Sequence, residues 1–83
     1  MLNLYCATWC PDCKATVAYL NDKKISYNYI DIEKQPEDIV QKVVEVNGGD
    51  DWSVPTFENN GKWIGGQNFS KNKIPEYLKE IGI

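Results

Sequence analysis

Residues 8–13 read Thr-Trp-Cys-Pro-Asp-Cys and join a short strand to a helix. The strand is predicted over Leu2–Cys6, where apolar and polar residues alternate. The helix is predicted from Pro11 to about Leu20, because proline suits the first helical position, where its missing N–H is not needed. Cysteines three residues apart on a helix lie on the same face, one turn from each other. The pattern therefore predicts that Cys10 and Cys13 can close one small disulfide ring.

The same position gives Cys10 a chemical role. A helix N-terminus offers unpaired N–H groups and the positive end of the dipole, which stabilise a thiolate and lower a cysteine pKa from about 8.5. Cys10 can then attack a substrate disulfide, and Cys13 can release the mixed disulfide. The carboxylate of Asp12 repels a nearby thiolate, and Lys14 offsets this repulsion in part. We expect a moderately activated Cys10 thiol that serves as a reductant.

The remaining elements follow from periodicity and turn signals. A second strand is predicted over residues 25–32, and a second helix opens at Pro36 and stops at Gly48-Gly49. A hairpin is predicted over 56–64 around Asn59-Asn60-Gly61, and an amphipathic helix over 74–81. The order β-α-β-α-β-β-α predicts one α/β domain over residues 1–83. Its mixed four-stranded sheet is expected to carry helices on both faces.

Composition excludes several classes of function. The chain has 9 Lys and Arg against 12 Asp and Glu, without a basic cluster, so nucleic acid is not an expected partner. No apolar run approaches the roughly 18 residues of a membrane span, so no membrane partner is expected. The N-terminus lacks the charged start and apolar region of a signal peptide. We expect a cytoplasmic protein.

The chain has three cysteines, at Cys6, Cys10 and Cys13, and no histidine. The lack of histidine excludes Cys–His catalysis and mixed Cys/His zinc sites. A rival interpretation of the two spaced cysteines is half of a zinc or iron–sulfur site, but zinc needs three or four protein ligands and only Cys6 could add one. Because Cys6 lies in a strand, it is expected to be a small buried apolar residue. No metal site is predicted.

Three segments together resemble the glutaredoxin branch of thioredoxin-like proteins: residues 8–13, Ser53-Val54-Pro55-Thr56 and Gly65-Gly66. The resemblance implies a thioredoxin-like fold and a glutaredoxin-type thiol–disulfide oxidoreductase with Cys10 and Cys13 as catalytic residues. It also implies that Pro55 is cis beside these cysteines and that the Val54 backbone pairs with the cysteinyl part of glutathione. The implied residues for substrate or glutathione are Trp9, Pro11, Asp12, Ser53, Val54, Pro55, Gly66, Gln67 and Asn68.

The resemblance implies glutathione as a co-substrate, without a tightly bound cofactor, and proteins with disulfides as partners. The chain departs from the family pattern where cations and one acid usually bind glutathione. It has Ala7 in place of the usual Lys, Asn68 in place of the usual Asp, and acids at Glu45, Asp50 and Asp51, before the Val-Pro loop, where a basic residue is common. These departures count against tight glutathione binding but leave the disulfide chemistry intact.

Other functions remain open at this stage. One is a redoxin that is recharged by thioredoxin reductase and serves ribonucleotide reductase, although residues 63–68 lack the Trp-Ser-Gly-Phe-Arg-Pro stretch usual in such redoxins. Another is a glutathione-bridged iron–sulfur carrier, which is disfavoured by Pro11 and by the absence of a Cys-Gly-Phe-Ser motif. A structural adaptor without chemistry is hard to reconcile with two correctly spaced cysteines.

Overall fold

The computed structural model describes residues 1–83. It contains four strands, three α-helices and two short 3₁₀ turns, at Ile32–Lys34 and Lys71–Lys73. The main elements in chain order are β1 (Leu2–Cys6), α1 (Pro11–Asp22), β2 (Tyr27–Asp31), α2 (Glu37–Val46), β3 (Thr56–Asn59), β4 (Lys62–Ile64) and α3 (Ile74–Glu80). The predicted order β-α-β-α-β-β-α is confirmed. No helix has the length and apolar character needed to cross a membrane.

The four strands form one mixed sheet in the order β2-β1-β3-β4. Strands β1 and β2 run parallel, as a βαβ unit requires, whereas β3 is antiparallel to both β1 and β4. The carboxyl ends of β1 and β2 therefore meet at one edge of the sheet. In open α/β sheets that edge is where ligand sites usually lie.

Helices α1 and α3 cover one face of the sheet. Leu4 is in register with both Tyr29 and Phe57, so these three side chains point to the same face. The Phe57 ring lies 5.8 Å from that of Tyr77 in α3. At the β2 edge of the same face, two residues from Tyr29, the Tyr27 hydroxyl donates to the Asn21 side chain of α1.

Helix α2 covers the opposite face. Trp63 of β4 pairs with Glu58, one residue away from Phe57, and so points away from α1 and α3. Its ring stacks on Tyr5 at 5.5 Å and lies under the Lys42 ammonium of α2 at 5.6 Å. The prediction of helices on both faces is confirmed.

Two element boundaries differ from the sequence-based prediction. The second strand begins at Tyr27, because Lys24 adopts a left-handed conformation (φ 57°) and the Ile25 N–H closes helix α1 on the Leu20 carbonyl at 2.9 Å. The strand ends at Asp31, whose side chain accepts the Glu33 N–H at 3.0 Å and starts a 3₁₀ turn. A backbone hydrogen bond that closes α1 therefore sets the start of the strand, and the Asp31 side chain sets its end; strand periodicity reveals neither.

Candidate active site

Cys10 lies at the N-cap of α1, just beyond the carboxyl end of β1. Its backbone is extended (φ −82°, ψ 118°), and Pro11 is the first helical residue, as predicted. The Cys10 N–H donates to the Ala7 carbonyl at 3.1 Å, which closes the turn between strand and helix. The Cys10 Sγ accepts the backbone N–H of Cys13 at 3.3 Å, in the manner of a capping side chain. The two cysteines are therefore held one helical turn apart.

The loop before β3 faces the same sulfur. The Val54–Pro55 peptide bond is cis, so the prediction for Pro55 is confirmed. The Cys10 thiol donates to the Val54 carbonyl at 3.9 Å. The Thr56 hydroxyl donates to the Ser53 carbonyl at 2.7 Å and fixes the start of the loop. The structure thus brings the two distant motifs of the sequence to one place.

The pKa of the Cys10 thiol differs from the sequence-based expectation. Burial raises this pKa above the usual value, and the backbone N–H groups of Cys13 and Asp12 lower it only in part. Cys10 is 6% exposed, and desolvation disfavours the thiolate more than the helix end favours it. The expected lowering was wrong. The interpretation of the Asp12 carboxylate as a tuning group also loses its basis, because this side chain is exposed to water and Asp12 acts on the sulfur through its N–H.

Cys13 and Cys6 lie behind Cys10 in the core. Both are almost fully buried, which agrees with the prediction for Cys6. The pKa of Cys13 is raised strongly, first by its side-chain hydrogen bond with Cys6 and then by burial. No group of three or more cysteine, aspartate or glutamate side chains is arranged to hold a metal ion. The arrangement keeps Cys13 a protonated thiol until a reaction at Cys10 involves it.

Gly66 packs directly against the Val54–Pro55 loop. A Cβ atom at this position would lie 2.6 Å from the Pro55 carbonyl oxygen and 3.1 Å from the Val54 carbonyl carbon. Only glycine permits so close an approach of two backbone segments. Gln67 and Asn68 follow and are exposed, and they line a pocket of about 260 Å³ that does not include Cys10. Its lining residues are Val46, Asn47, Ile64, Gly65, Gln67, Asn68 and Tyr77.

Sequence reasoning missed Asn47, which connects three parts of the site. Its buried amide donates to the Val43 carbonyl at 2.8 Å and to the Thr56 hydroxyl at 3.0 Å. Its Oδ1 accepts the Gly66 N–H at 2.8 Å. A polar residue between an apolar helical stripe and a Gly-Gly stop is usually a helix end, so its sequence position carries no signal for this role.

Sequence reasoning also missed the partners of Trp9. Trp9 is 59% exposed, and its indole N–H donates to Glu33 Oε1 at 2.8 Å. Its ring lies 6.5 Å from that of Trp52, which is half-buried and comes just before Ser53. Pro11 and Asp12 are exposed beside it. The two tryptophans therefore border the Cys10 site from the α1 side and from the Val54 loop.

A second pocket, of about 390 Å³, lies between α1 and Tyr29 of β2. It reaches Cys13 rather than Cys10, and mostly apolar side chains line it. These are Ala7, Thr8, Cys13, Lys14, Val17, Ala18, Asn21 and Tyr29. Lys14 lines this pocket and is not among the groups that shift the Cys10 pKa, so the expected compensation of Asp12 by Lys14 has no support.

Comparisons with known proteins agree with this geometry. A model of the glutaredoxin family matches residues 2–64. A glutaredoxin from Archaeoglobus fulgidus has a similar structure, with a TM-score of 0.72 and 24% identity over 94% of this chain and 85% of that one. A wheat glutaredoxin has a TM-score of 0.62 and 21% identity, over 98% of this chain and 72% of that one. A thioredoxin-like protein has a TM-score of 0.70 and 20% identity, over 94% of this chain and all of that one.

No curated protein matches the chain significantly. At identities this low, the structural neighbours establish the thioredoxin-like fold alone. The family model carries more weight, because it spans β1 to β4 and includes both the cysteine pair and the Val54–Pro55 loop. On that match the chain belongs to the glutaredoxin family of thiol–disulfide oxidoreductases.

Proposed function

We propose that this protein reduces disulfides through a two-thiol cycle, with Cys10 as the nucleophile and Cys13 as the resolving thiol. One observation carries the proposal: the Cys10 sulfur lies at the helix end, bonded to the Cys13 N–H and facing the Val54 carbonyl. A sulfur in this position meets a substrate from the loop side. The Cys13 thiol lies behind it, one turn along the helix.

The cycle transfers two electrons in two thiol–disulfide exchange steps. The Cys10 thiol loses its proton and attacks one sulfur of the substrate disulfide, whose other sulfur leaves and takes up a proton. The Cys13 thiol then loses its proton and attacks the Cys10 sulfur. The mixed disulfide breaks, and the second substrate sulfur leaves as a thiol. Two electrons pass to the substrate, and the enzyme ends with a Cys10–Cys13 disulfide.

The Val54 loop positions the substrate in this proposal. Val54 lies in a loop, and its N–H donates to no other backbone group there. Its carbonyl accepts a hydrogen bond only from the Cys10 thiol. An extended substrate strand can therefore pair with this backbone while its sulfur approaches Cys10. Trp9 adds apolar contact, and Ser53 and Pro55 hold the loop in place.

Glutathione is the proposed reductant of the oxidised enzyme, and the pocket lined by Gln67 and Asn68 is its proposed subsite, beside Gly66. Thioredoxin reductase is the alternative electron source. It is favoured by Ala7 and by the acids Asp50 and Asp51, which are unsuited to binding the glutathione carboxylates. We also propose a reducing compartment, the cytoplasm, because three cysteines within eight residues cannot staple a fold and are typical of redox chemistry in such a compartment.

The cysteine roles are tested by single substitutions. Cys10→Ser is expected to abolish reduction of a small disulfide, since no thiolate can attack. Cys13→Ser is expected to stop after one step and to accumulate the mixed disulfide. Cys6→Ala is the matched control and should keep most activity. The mass spectrum of the oxidised wild-type protein should show a single bridge, between Cys10 and Cys13. Substantial turnover by Cys10→Ser, or a bridge that includes Cys6, would refute the assignment.

The electron source is tested separately. The oxidised protein is supplied either with glutathione and glutathione reductase or with thioredoxin reductase as the only route for electrons from NADPH. Sustained turnover with glutathione supports the proposed co-substrate. Turnover with thioredoxin reductase alone would favour the alternative and leave the two-thiol cycle unchanged.

A further inference from the structure

Trp9 is a large apolar side chain that the fold leaves exposed and yet holds in place. It is 59% exposed, directly before the nucleophile, and its indole N–H is bonded to the Glu33 carboxylate at 2.8 Å. An exposed ring that keeps one orientation can bind a partner without losing much conformational entropy. Tryptophan is also the residue type most often found at the energetic centre of protein interfaces.

Trp52 extends this feature across the site. Its ring lies 6.5 Å from Trp9 at an angle of 45°, and its backbone leads into the Val54 loop. The Trp52 backbone N–H donates to the Asp51 carboxylate at 2.8 Å, which holds this acid next to the Trp52 backbone. We call Trp9, Trp52 and Glu33 the tryptophan surface. It lies where a protein substrate must rest when its disulfide approaches Cys10.

The charges around the tryptophan surface are mostly of one sign. Four exposed carboxylates belong to it or flank it in the chain: Asp12, Glu33, Asp50 and Asp51. Two lysines stand in the same segments, Lys14 two residues after Asp12 and Lys34 next to Glu33, so carboxylates outnumber cations there. Carboxylates within a Debye length of about 8–10 Å of a bound group act on it together.

We propose that the tryptophan surface selects protein substrates in which an arginine or lysine stands beside the disulfide cysteine. The cation packs on the open face of the Trp9 ring, and the surrounding carboxylates neutralise its charge. An acidic segment next to the disulfide is repelled by the same acids. This inference rests on the proposed disulfide reductase function and names its preferred substrate.

The experiment uses two synthetic peptides, each with one internal disulfide, that differ only in Arg or Glu next to the first cysteine. Reduced wild-type protein is mixed with each peptide, quenched by alkylation, and the second-order rate constant is read from mass spectra. The Arg peptide is expected to react at least about fivefold faster at low salt, and high salt should shrink this preference.

Glu33→Gln separates charge from geometry, because a glutamine oxygen can still accept the hydrogen bond from the Trp9 N–H while the negative charge is lost. It is expected to lower the rate with the Arg peptide about threefold and to leave the rate with the Glu peptide equal or higher. Glu80→Gln is the matched control, since Glu80 ends α3 near the Asn59 end of the sheet, far from Cys10, and should change neither rate.

The outcomes separate this inference from the proposed function. Equal rates with both peptides, or a ratio that Glu33→Gln leaves unchanged, would overturn the docking inference while the reductase function stands. If neither peptide oxidises the wild-type protein, the reductase function and this inference fall together.

Discussion

At the scale of single residues, the competition between solvation and the helix end decides the chemistry of Cys10. The helix N-terminus provides N–H groups for a thiolate, and the Cys13 N–H reaches the sulfur at 3.3 Å. Burial nevertheless dominates and raises the Cys10 pKa. A substrate that displaces the Val54 carbonyl from the thiol changes this balance, so we expect Cys10 to become most reactive when substrate is bound.

The raised pKa predicts how Cys10 reacts with alkylating agents. The thiolate is the reacting form, so the rate with iodoacetamide should keep rising beyond about pH 8.5, the usual cysteine pKa. Asp12→Asn should move this profile by less than about half a pH unit, because the exposed carboxylate is screened by water. A plateau below about pH 8 would show instead that the helix end prevails. A large downward shift in Asp12→Asn would restore the carboxylate as the tuning group.

At the scale of elements, the site depends on how the end of α2, the start of β3 and the turn after β4 are joined. Asn47 makes this junction with one buried amide that bonds to Val43, Thr56 and Gly66. Gly66 lets the turn after β4 approach the start of β3 closely, because its backbone lies directly against the Val54–Pro55 segment. The loop that faces Cys10 is thus braced from behind by Asn47 and Gly66.

Asn47→Ala is expected to lower the free energy of unfolding by about 2–4 kcal/mol, because it leaves the buried Gly66 N–H without its acceptor and the Val43 carbonyl and Thr56 hydroxyl without their donor. Urea denaturation measures this loss. Asn72→Ala, at an exposed position in the second 3₁₀ turn, is the control and should cost less than about 0.5 kcal/mol. A loss below about 1 kcal/mol in Asn47→Ala would mean that water replaces the amide.

Gly66→Ala is expected to reduce disulfide reductase activity more than it reduces stability. The added Cβ must push the Pro55 carbonyl away from its 2.6 Å approach, and the Val54 backbone moves with it. Displacement of a positioning segment by a fraction of an ångström should cost about tenfold or more in rate. Asn72→Ala, at an exposed position outside the site, should not move the loop and serves as the control. Unchanged activity in a folded Gly66→Ala protein would contradict the bracing role.

At the scale of the whole molecule, the reactive thiols lie in the same core that holds the fold together. The buried cluster contains Cys6, Cys10 and Cys13 together with residues of β1, β3 and all three helices. Stability and redox chemistry are therefore linked, since a charge placed on either active-site sulfur is placed partly inside the core. A small domain has little apolar burial with which to compensate for such a charge.

This linkage predicts that the protein loses stability at alkaline pH. The pKa values of Cys10, Cys13 and Tyr5 are raised in the folded state. Below the unfolded-state pKa values, these groups make their full contribution to the free energy of unfolding. That contribution is lost as the pH rises from the unfolded-state pKa values toward the folded-state ones. Above about pH 8.5, Cys10 and Cys13 should each lower the free energy of unfolding by up to about 1.4 kcal/mol per pH unit. Denaturant unfolding at several pH values measures the slope.

Cys13→Ser provides the control, because serine does not titrate in this range. The variant should lose stability more gradually than the wild type above about pH 8.5, whatever its stability at neutral pH. If the two slopes were equal, the raised pKa of Cys13 would not contribute to the pH dependence.

Much of the fold and part of the site could be predicted from local patterns in the sequence. Three signals each act over a few residues: apolar periodicity, Pro11 at a helix start and Asn59-Asn60-Gly61 at a turn. Short stretches of sequence therefore determine the order of the elements and the spacing of Cys10 and Cys13. The glutaredoxin resemblance added the cis Pro55 beside the cysteines. These features follow from the chain itself, because local backbone preferences act before any long-range contact forms.

Only the tertiary structure decided how the site is tuned. The bond from Trp9 to Glu33 spans 24 positions, and the bond from Gly66 to Asn47 spans 19. The pKa of Cys10 depends on how much water the packed core excludes, and that of Cys13 depends on Cys6 in a neighbouring element. Burial and hydrogen bonds between distant segments have no periodicity along the chain. They exist only once the sheet and helices have brought those segments together.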